Sequence, residues 1–186
     1  MDTPKQAQDI LDFWYTEPMS SHWFSSTPDI DGNIRSRFVS LWADAANGSC
    51  QDWEATPEGC LALCILLDQF PLNMFRGDAK SFSTEQQAVA VCKRAVDKKF
   101  DLELTTSQRA FLYMPLMHSE HMEDQALCIR CFETAGEALK DNLRFAHHHR
   151  GIVERFGRFP HRNAILGRES TTDELAWLGS KEAFTG

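Results

Sequence analysis

One stretch near the C-terminus carries the densest set of side chains that could do chemistry. It places three arginines, a histidine and an asparagine among two phenylalanines, in the order Arg155-Phe156-Gly157-Arg158-Phe159-Pro160-His161-Arg162-Asn163. Aromatic residues at this spacing pack into a core and take their polar neighbours with them, and a buried arginine needs partners. The guanidinium fork matches carboxylate and phosphate oxygens. The stretch therefore predicts a partly buried electropositive site, with Arg155, Arg158, Arg162 and Asn163 as candidates for holding an anion.

Three further polar clusters lie at predicted helix ends or within apolar helix faces. They are Asp68-Gln69 with Asn73 and Arg76, His118-Ser119-Glu120, and His149. Buried charges at helix ends are costly unless several meet, so we expect all these clusters to converge on one cleft. Asp68 and Arg76 flank a bend predicted at Pro71 and are expected to form a structural ion pair. Asp68, Gln69 and Asn73 are therefore assigned to structure, and Arg76 is a further candidate for the anion.

Four residues could transfer protons in an enzyme, namely His118, Glu120, His149 and His161. The unperturbed pKa of histidine, about 6.5, suits acid–base catalysis near neutral pH. His149 lies on an apolar helix face, where a histidine is more commonly a core residue satisfied by one carbonyl or carboxylate. Both interpretations of His149 stay open from the sequence.

A metal site is a weaker interpretation of the same region. His118 and His121 have helix-compatible spacing, and Glu120, Glu123 and Asp124 are near them. The sequence has no His-Glu-x-x-His pattern, and acids in the first turn of a helix ordinarily complement its dipole, so no metal is predicted. It also has no P-loop, no Gly-x-Gly-x-x-Gly run and no Gly-x-Ser-x-Gly elbow. We therefore expect no cofactor and none of the common nucleotide or acyl-transfer reactions.

The composition is that of an ordinary globular protein, with 42% apolar and 25% charged residues among 186. The length predicts a single domain over residues 1–186. A formal net charge of −8 argues against nucleic acid as a partner. No apolar run reaches membrane-helix length and the N-terminus lacks a signal peptide, so we expect a cytoplasmic protein with no membrane partner. The six cysteines are predicted to be free thiols in the core.

The elements that position these residues are predicted to be helices throughout. Apolar residues recur every three or four positions and no segment alternates with period two for long. Start signals precede helices at Thr3, Thr27, Thr56, Ser83, Thr105 and Thr171 or Thr172. Pro71 and Pro115 are predicted to end helices, a later helix to run from about Met122 to Leu139, and residues 1–3 and 180–186 to fray. Short links imply antiparallel neighbours, so the chain is predicted to be all-α, either a bundle or stacked hairpins.

Five motifs spread over most of the chain also occur together in a known family. They are Leu11-Asp12-Phe13-Trp14, Trp23-Phe24, LDQFPLNMFRG (67–77), FLYMPLMHSE (111–120) and RFGRFPHRNAILGREST (155–171). In these the chain resembles a bacterial domain-of-unknown-function family that is all-helical and tetratricopeptide-like. The resemblance implies antiparallel helical hairpins stacked in a tetratricopeptide-like right-handed array. It also implies that the family's polar positions map onto Asp68, Gln69, Asn73, Arg76, His118, Glu120, His149, Arg155, Arg158, His161, Arg162 and Asn163.

The resemblance brings no activity with it, and one position departs from the pattern. The family more often has arginine after the proline, where this chain has Leu72. One basic group of a ligand site is therefore absent here.

Three hypotheses about function follow from these residues. The first is a binding protein that holds an anionic small molecule or a peptide carboxylate in a cleft lined by arginine and histidine. The second is an enzyme, hydrolytic in type, in which histidine or glutamate transfers protons and arginines act as electrostatic clamps. In the third, the polar clusters only lock helices together. Unpaired guanidinium groups around a cleft would favour the first two, and arginines saturated by carboxylates would favour the third. The oligomeric state stays open.

Overall fold

The computed structural model describes residues 2–183, and every regular element in that range is helical. The α-helices are α1 (Lys5–Tyr15), α2 (Pro28–Ala46), α3 (Pro57–Cys64), α4 (Phe70–Met74), α5 (Glu85–Asp97), α6 (Thr106–His118), α7 (Met122–Ala135), α8 (Lys140–Phe156) and α9 (Thr172–Leu178). A π-helical turn, Ile65–Gln69, joins α3 to α4, and short 3-10 turns lie in most of the other links. The prediction of an all-α fold is confirmed. Met1 and residues 184–186, where fraying is predicted, lie outside the described residues.

The centre of the fold is formed by α3 and the π turn. Every residue from Gly59 to Gln69 is buried, as a helix apolar nearly all round predicts. Around this centre α1, α5 and α6 pack on α3, and α2 packs on α4. The backbone of α3 passes very close to that of Trp53 at Gly59, where a Cβ would lie 2.0 Å from the carbonyl oxygen of Trp53. Only glycine fits there without moving the backbone.

Threonine caps start several helices where the sequence predicts them. The hydroxyl of Thr56 accepts a hydrogen bond from the Gly59 N–H at 3.1 Å. Thr105 and Thr171 each form a capping box with the third helical residue, Gln108 and Glu174. These side chains satisfy backbone donors that the first turn of a helix leaves without partners.

Two predicted caps are wrong, and the hydroxyl group of each residue bonds elsewhere. Thr3 makes no cap and its hydroxyl bonds to that of Thr56. The Ser83 hydroxyl donates to the Lys80 carbonyl, and α5 begins after Thr84 instead. The Thr84 hydroxyl does not cap its own helix either; it donates to the Leu67 carbonyl at 2.6 Å and accepts from the Trp42 indole N–H at 3.1 Å.

Two prolines lie inside helical stretches that they are predicted to end. Pro71 lies directly after the π turn, and the helical chain passes through it to Met74. Pro115 lies inside α6, whose residues from Ala110 to Met117 are all buried. Packing of this helix on α3, α5 and α7 outweighs the one hydrogen bond that proline removes. The prediction also runs α7 too far, because the chain turns at Gly136 with φ of 77°.

The C-terminal part packs as a second, smaller apolar cluster built on Ile152, Val153, Phe159 and Trp177. Its link from α8 to α9 contains a short 3-10 turn, Pro160–Arg162. Helices α6, α7 and α8 pack successively on one another. Their right-handed, tetratricopeptide-like stacking stays a prediction. No helix between residues 2 and 183 combines the length and the apolar character needed to cross a membrane.

Candidate functional site

A buried carboxylate, Asp68, lies in the π turn at the centre of the fold. Such turns insert an extra residue into a helix and are frequent at functional sites. Asp68 is only 4% exposed. Its oxygens accept a hydrogen bond from the Gln69 side-chain amide at 2.6 Å and contact Nδ1 of His118 at 2.9 Å. The carboxylate is therefore held from two sides by polar partners.

His118 ends α6 and presents its imidazole to Asp68. Because a carboxylate only accepts, Nδ1 carries the proton in this contact, and Nε2 is the second ring nitrogen. Nε2 makes no hydrogen bond within residues 2–183, and the side chain is 19% exposed. Burial alone would lower the pKa of His118, but the adjacent Asp68 carboxylate outweighs it, so the pKa is raised above its ordinary value.

Arg162 joins this pair to a second carboxylate. Its guanidinium lies between the rings of Phe82 and Phe159, 4.6 Å from each centroid. Nη1 donates to Glu85 at 2.8 Å, and Nη2 donates to the His118 carbonyl at 2.8 Å. The side chain is 7% exposed. Burial raises the pKa of Glu85, and the charge of Arg162 opposes that rise without cancelling it.

Glu120 forms a third, partly buried contact that connects the C-terminal link to the end of α6. Its carboxylate accepts from both terminal nitrogens of Arg168, at 2.7 and 2.9 Å, and from the Phe159 N–H at 2.7 Å. Burial would raise the pKa of Glu120, but the bonds from Arg168 and Phe159 hold it below its ordinary value. Arg168 also donates to the Asn163 side chain at 3.0 Å. Glu120 is thus an ionised anchor in this structure.

The two remaining histidines of the predicted set, His149 and His161, both pack on Phe159. The ring centroid of each histidine lies 5.6 Å from that of Phe159. His149 is buried, and its Nδ1 donates to the Phe145 carbonyl at 2.8 Å. Burial lowers the pKa of His149 to about 4. Burial and the charge of Arg162 lower the pKa of His161 to about 4 as well. Both are therefore neutral near pH 7, which leaves His118 as the histidine whose pKa is raised.

Other residues predicted for the site lie in separate contacts. Arg76 pairs with Asp31 at 2.8 Å and reaches the Asn73 side chain at 3.3 Å. The predicted Asp68–Arg76 ion pair is wrong, because Asp68 contacts Gln69 and His118 whereas Arg76 lies in the turn after α4 and pairs with Asp31.

The arginines that flank the C-terminal bend also have their own partners. Arg158 donates to both oxygens of Glu174, at 2.7 and 2.9 Å, and to the Glu169 carbonyl. Arg155 is exposed, with its guanidinium 4.7 Å from the Phe156 ring centroid. Buried Asn163 bonds to Ser170 and Arg168, which is a structural role.

The predicted convergence therefore holds for part of the set. Seven of the predicted side chains meet where the end of α6 contacts the C-terminal link, namely Asp68, Gln69, His118, Glu120, His149, His161 and Arg162. Four lie elsewhere: Arg76, Asn73, Arg155 and Arg158. The carboxylate partners Glu85 and Glu174 escape sequence reasoning, because acids in a first helical turn are ordinarily dipole complements. Within residues 2–183, no three histidine, cysteine, aspartate or glutamate side chains are grouped so that they could hold a metal ion.

Comparisons with known proteins agree with this fold. A family model described as a bacterial protein of unknown function (DUF924) matches residues 10–182. No curated protein matches the sequence. The solved structure of a protein of unknown function from Agrobacterium tumefaciens is similar, with 37% sequence identity and a TM-score of 0.88. The match covers 96% of this chain and 99% of that one.

Proposed function

Since the chain belongs to the DUF924 family of bacterial proteins of unknown function, its reaction has to be inferred from its own side chains, and we propose that His118 is the acid–base group of an enzyme. The observation that carries this proposal is the contact between buried Asp68 and Nδ1 of His118, whose side chain is 19% exposed and whose Nε2 is left for a substrate. A carboxylate behind a histidine fixes the ring and its tautomer.

The tautomer decides what His118 can do. With the Nδ1 proton directed at Asp68, the lone pair of neutral His118 lies on Nε2, away from the carboxylate. That nitrogen can take a proton from a molecule that approaches the exposed edge of the ring. When it is protonated, the charge is stabilised by Asp68 at 2.9 Å. His118 is thus suited to accept a proton and to return it later in the reaction.

The raised pKa of His118 supports the same role. A proton carrier works best when its pKa lies near the working pH, because both protonation states are then populated. The pKa values of His149 and His161, near 4, leave those side chains neutral and less suited to this exchange. Arg162 lies next to His118 and contributes positive charge near any anion that forms beside the ring.

The reaction class that fits these groups best is hydrolysis by an activated water. Ser119 is fully buried and its hydroxyl donates to Asp124 at 2.7 Å, so it is not available as a nucleophile. Water would give a proton to Nε2 of His118 as its oxygen adds to the electrophilic centre of the substrate. The protonated His118 would then return the proton to the leaving group, which restores the neutral ring.

Binding of an anion by the predicted arginines has less support. Arg76, Arg158 and Arg162 each contact a carboxylate at 2.8 Å or less. A second carboxylate or a phosphate would have to displace that partner. Arg155 is exposed and lies outside the cluster. The role of these residues in holding an anion or a peptide carboxylate stays a prediction.

Two measurements test the role of His118. Nitrogen-15 NMR of the imidazole should show the Nδ1–H tautomer at alkaline pH and a pKa above that of an exposed histidine. A panel of nitrophenyl esters, phosphate esters, glycosides and peptide amides then tests for hydrolysis. With a substrate from this panel, His118→Gln should reduce kcat/KM by about 10²–10⁴.

The matched control is His147→Gln, which alters an exposed histidine on α8. We expect this variant to keep the wild-type rate, and we expect the wild-type kcat/KM to rise with pH as His118 loses its proton. A neutral His118 with its proton on Nε2 would contradict the proposal. So would hydrolysis that is equally fast in wild-type protein and His118→Gln.

A further inference from the structure

A groove lies between α1 and α2, and none of the residues around His118 lines it. Its volume is about 790 Å³, within the usual range of ligand cavities. The walls are formed by Asp9, Asp12, Phe13, Thr16, Glu17, Pro18, Met19, Ile30, Asn33, Arg37 and Phe38. A smaller depression of about 280 Å³ adjoins it and shares Asp9, Arg37 and Phe38. The two together form an open groove with an apolar base and charged edges.

Arg37 is the cation of this groove. Its guanidinium carbon lies 4.5 Å from the ring centroid of Phe13 and 5.0 Å from that of Phe38. These two rings pack on each other at 5.1 Å. Contacts of this kind hold the planar group in place while its N–H edge stays open. Within residues 2–183 no carboxylate and no carbonyl accepts a hydrogen bond from Arg37, in contrast to Arg76, Arg158 and Arg162.

Three carboxylates line the larger depression; Asp9 is paired with Lys5, and the remaining negative charge is supplied by Asp12 and Glu17. Asp12 lies on α1 and accepts a hydrogen bond from the Gln8 side chain at 2.7 Å. Glu17 accepts from the hydroxyl groups of Ser20 and Ser21, each at 2.7 Å. The bonds from these serines lower the pKa of Glu17, so it is ionised near pH 7. Neither carboxylate is paired with a basic side chain in the described part of the chain.

These groups select for a ligand that carries both charges. A ligand with only negative charge would be repelled by the carboxylates, and a ligand with only positive charge would be repelled by Arg37. The apolar base formed by Phe13, Met19, Ile30 and Phe38 favours hydrophobic side chains on the ligand. We propose that the groove binds a short peptide with a free carboxyl terminus, which Arg37 holds, and an ammonium group, which Asp12 or Glu17 holds. This site is independent of the acid–base role proposed for His118.

Nitrogen-15 NMR titration with tetrapeptides tests the proposal. The probe is a mixture with lysine at the first position, a free carboxyl terminus and randomised apolar residues at the other positions. A second mixture has its C-terminus amidated, and a third has acetylated N-terminal and lysine amines. The free mixture should shift the amide resonances of α1 and α2 that border the groove. Each capped mixture should bind about tenfold more weakly.

The variant Arg37→Gln should weaken binding of the free mixture about tenfold, to the level of the amidated one. Amidation should then make no further difference, because the variant has lost the group that reads the carboxylate. Arg35→Gln is the matched control, since Arg35 is an exposed arginine on the same helix with its guanidinium 5.7 Å from Phe75. Unchanged resonances far from the groove would show that both variants are folded.

Three results would overturn the proposal. One is a free mixture that, at millimolar concentration, leaves the resonances around the groove unshifted. Another is equal binding of the free and capped mixtures by the wild-type protein. The third is equal loss of binding in Arg37→Gln and Arg35→Gln, which would show a general effect of surface charge.

Discussion

The contact between Glu120 and its three donors gives the sharpest prediction about stability. One carboxylate accepts from the Phe159 N–H and from two nitrogens of Arg168, at distances of 2.7 to 2.9 Å. The substitution Glu120→Gln keeps the shape of the side chain and removes its charge. It also replaces one accepting oxygen by an NH₂ group, which then faces a donor. We expect the variant to fold and to be less stable than the wild type.

The size of the loss follows from the number of bonds and their exposure. A hydrogen bond to a charged group stabilises a protein by about 1.5–3 kcal/mol, but neighbouring bonds are not additive. Both side chains are 24% exposed, so water replaces part of what the substitution removes. We therefore expect a loss of about 2–3 kcal/mol in the free energy of unfolding. For a chain of this length that loss lowers Tm by about 4–12 °C.

Urea unfolding at neutral pH, followed by circular dichroism, measures this difference. The matched control is Glu137→Gln, because Glu137 bonds to Lys140 at the surface, where the two side chains are 83% and 65% exposed. This control should stay within about 0.5 kcal/mol of the wild type. Equal midpoints for the two variants would refute the reasoning.

The pH dependence gives an independent check with a definite sign. The folded-state pKa of Glu120 lies below its ordinary value of 4.5. The stability that ionised Glu120 contributes is therefore fully present above pH 4.5 and is lost as pH falls through the lower, folded-state pKa. The gap between wild type and Glu120→Gln should narrow over that acidic range. A gap that stays constant to the lowest pH would mean that charge is not its cause.

Two further substitutions test the close packing and the central pair. Gly59→Ala should lower the free energy of unfolding by about 3 kcal/mol or more, because its Cβ would lie 2.0 Å from the Trp53 carbonyl oxygen. Thermal melts measure the loss. Gly32→Ala is the control and should raise Tm, because its Cβ would have no atom within 4 Å. Asp68→Asn should lower the pKa of His118 in an NMR titration, since the main contribution that opposes burial is then removed. The Asp68–His118 pair stabilises most below pH 6.5 and loses this effect as pH rises through the folded-state pKa, so Asp68→Asn should cost less at alkaline pH.

The helices were largely predictable because their signals are local. Thr56 and Thr105 precede runs with helical apolar spacing, and both cap the helices that follow. Pro71 and Pro115 misled the prediction of helix ends, because the packing of the surrounding helix outweighs a proline's local effect. The π turn could not be read either, since its extra residue leaves no mark in the apolar pattern of an already buried helix.

That several of these polar side chains meet was predictable from the sequence, but their pairings were not. Arginines beside aromatic residues indicate a buried cation, and Arg162 is one. Which acid it meets depends on contacts between distant segments, and Glu85 lies 77 residues away. A role for Arg37 could not be predicted from the sequence, because no local pattern marks this arginine. Its helix is an ordinary amphipathic one, and only the arrangement of Phe13 and Phe38 distinguishes it from other surface arginines.

The long-range bonds of the C-terminal link have a consequence for synthesis on the ribosome. Glu85, the His118 carbonyl and Glu120 all receive their donors from Phe159, Arg162 or Arg168. A nascent chain that lacks these residues has two carboxylates with no cation beside them and a histidine at an open helix end. Domains fold as units during translation. The emerging polypeptide can therefore build its central helices early, whereas the contacts that Glu85, the His118 carbonyl and Glu120 make with the C-terminal link form only after residues 159–168 have been translated.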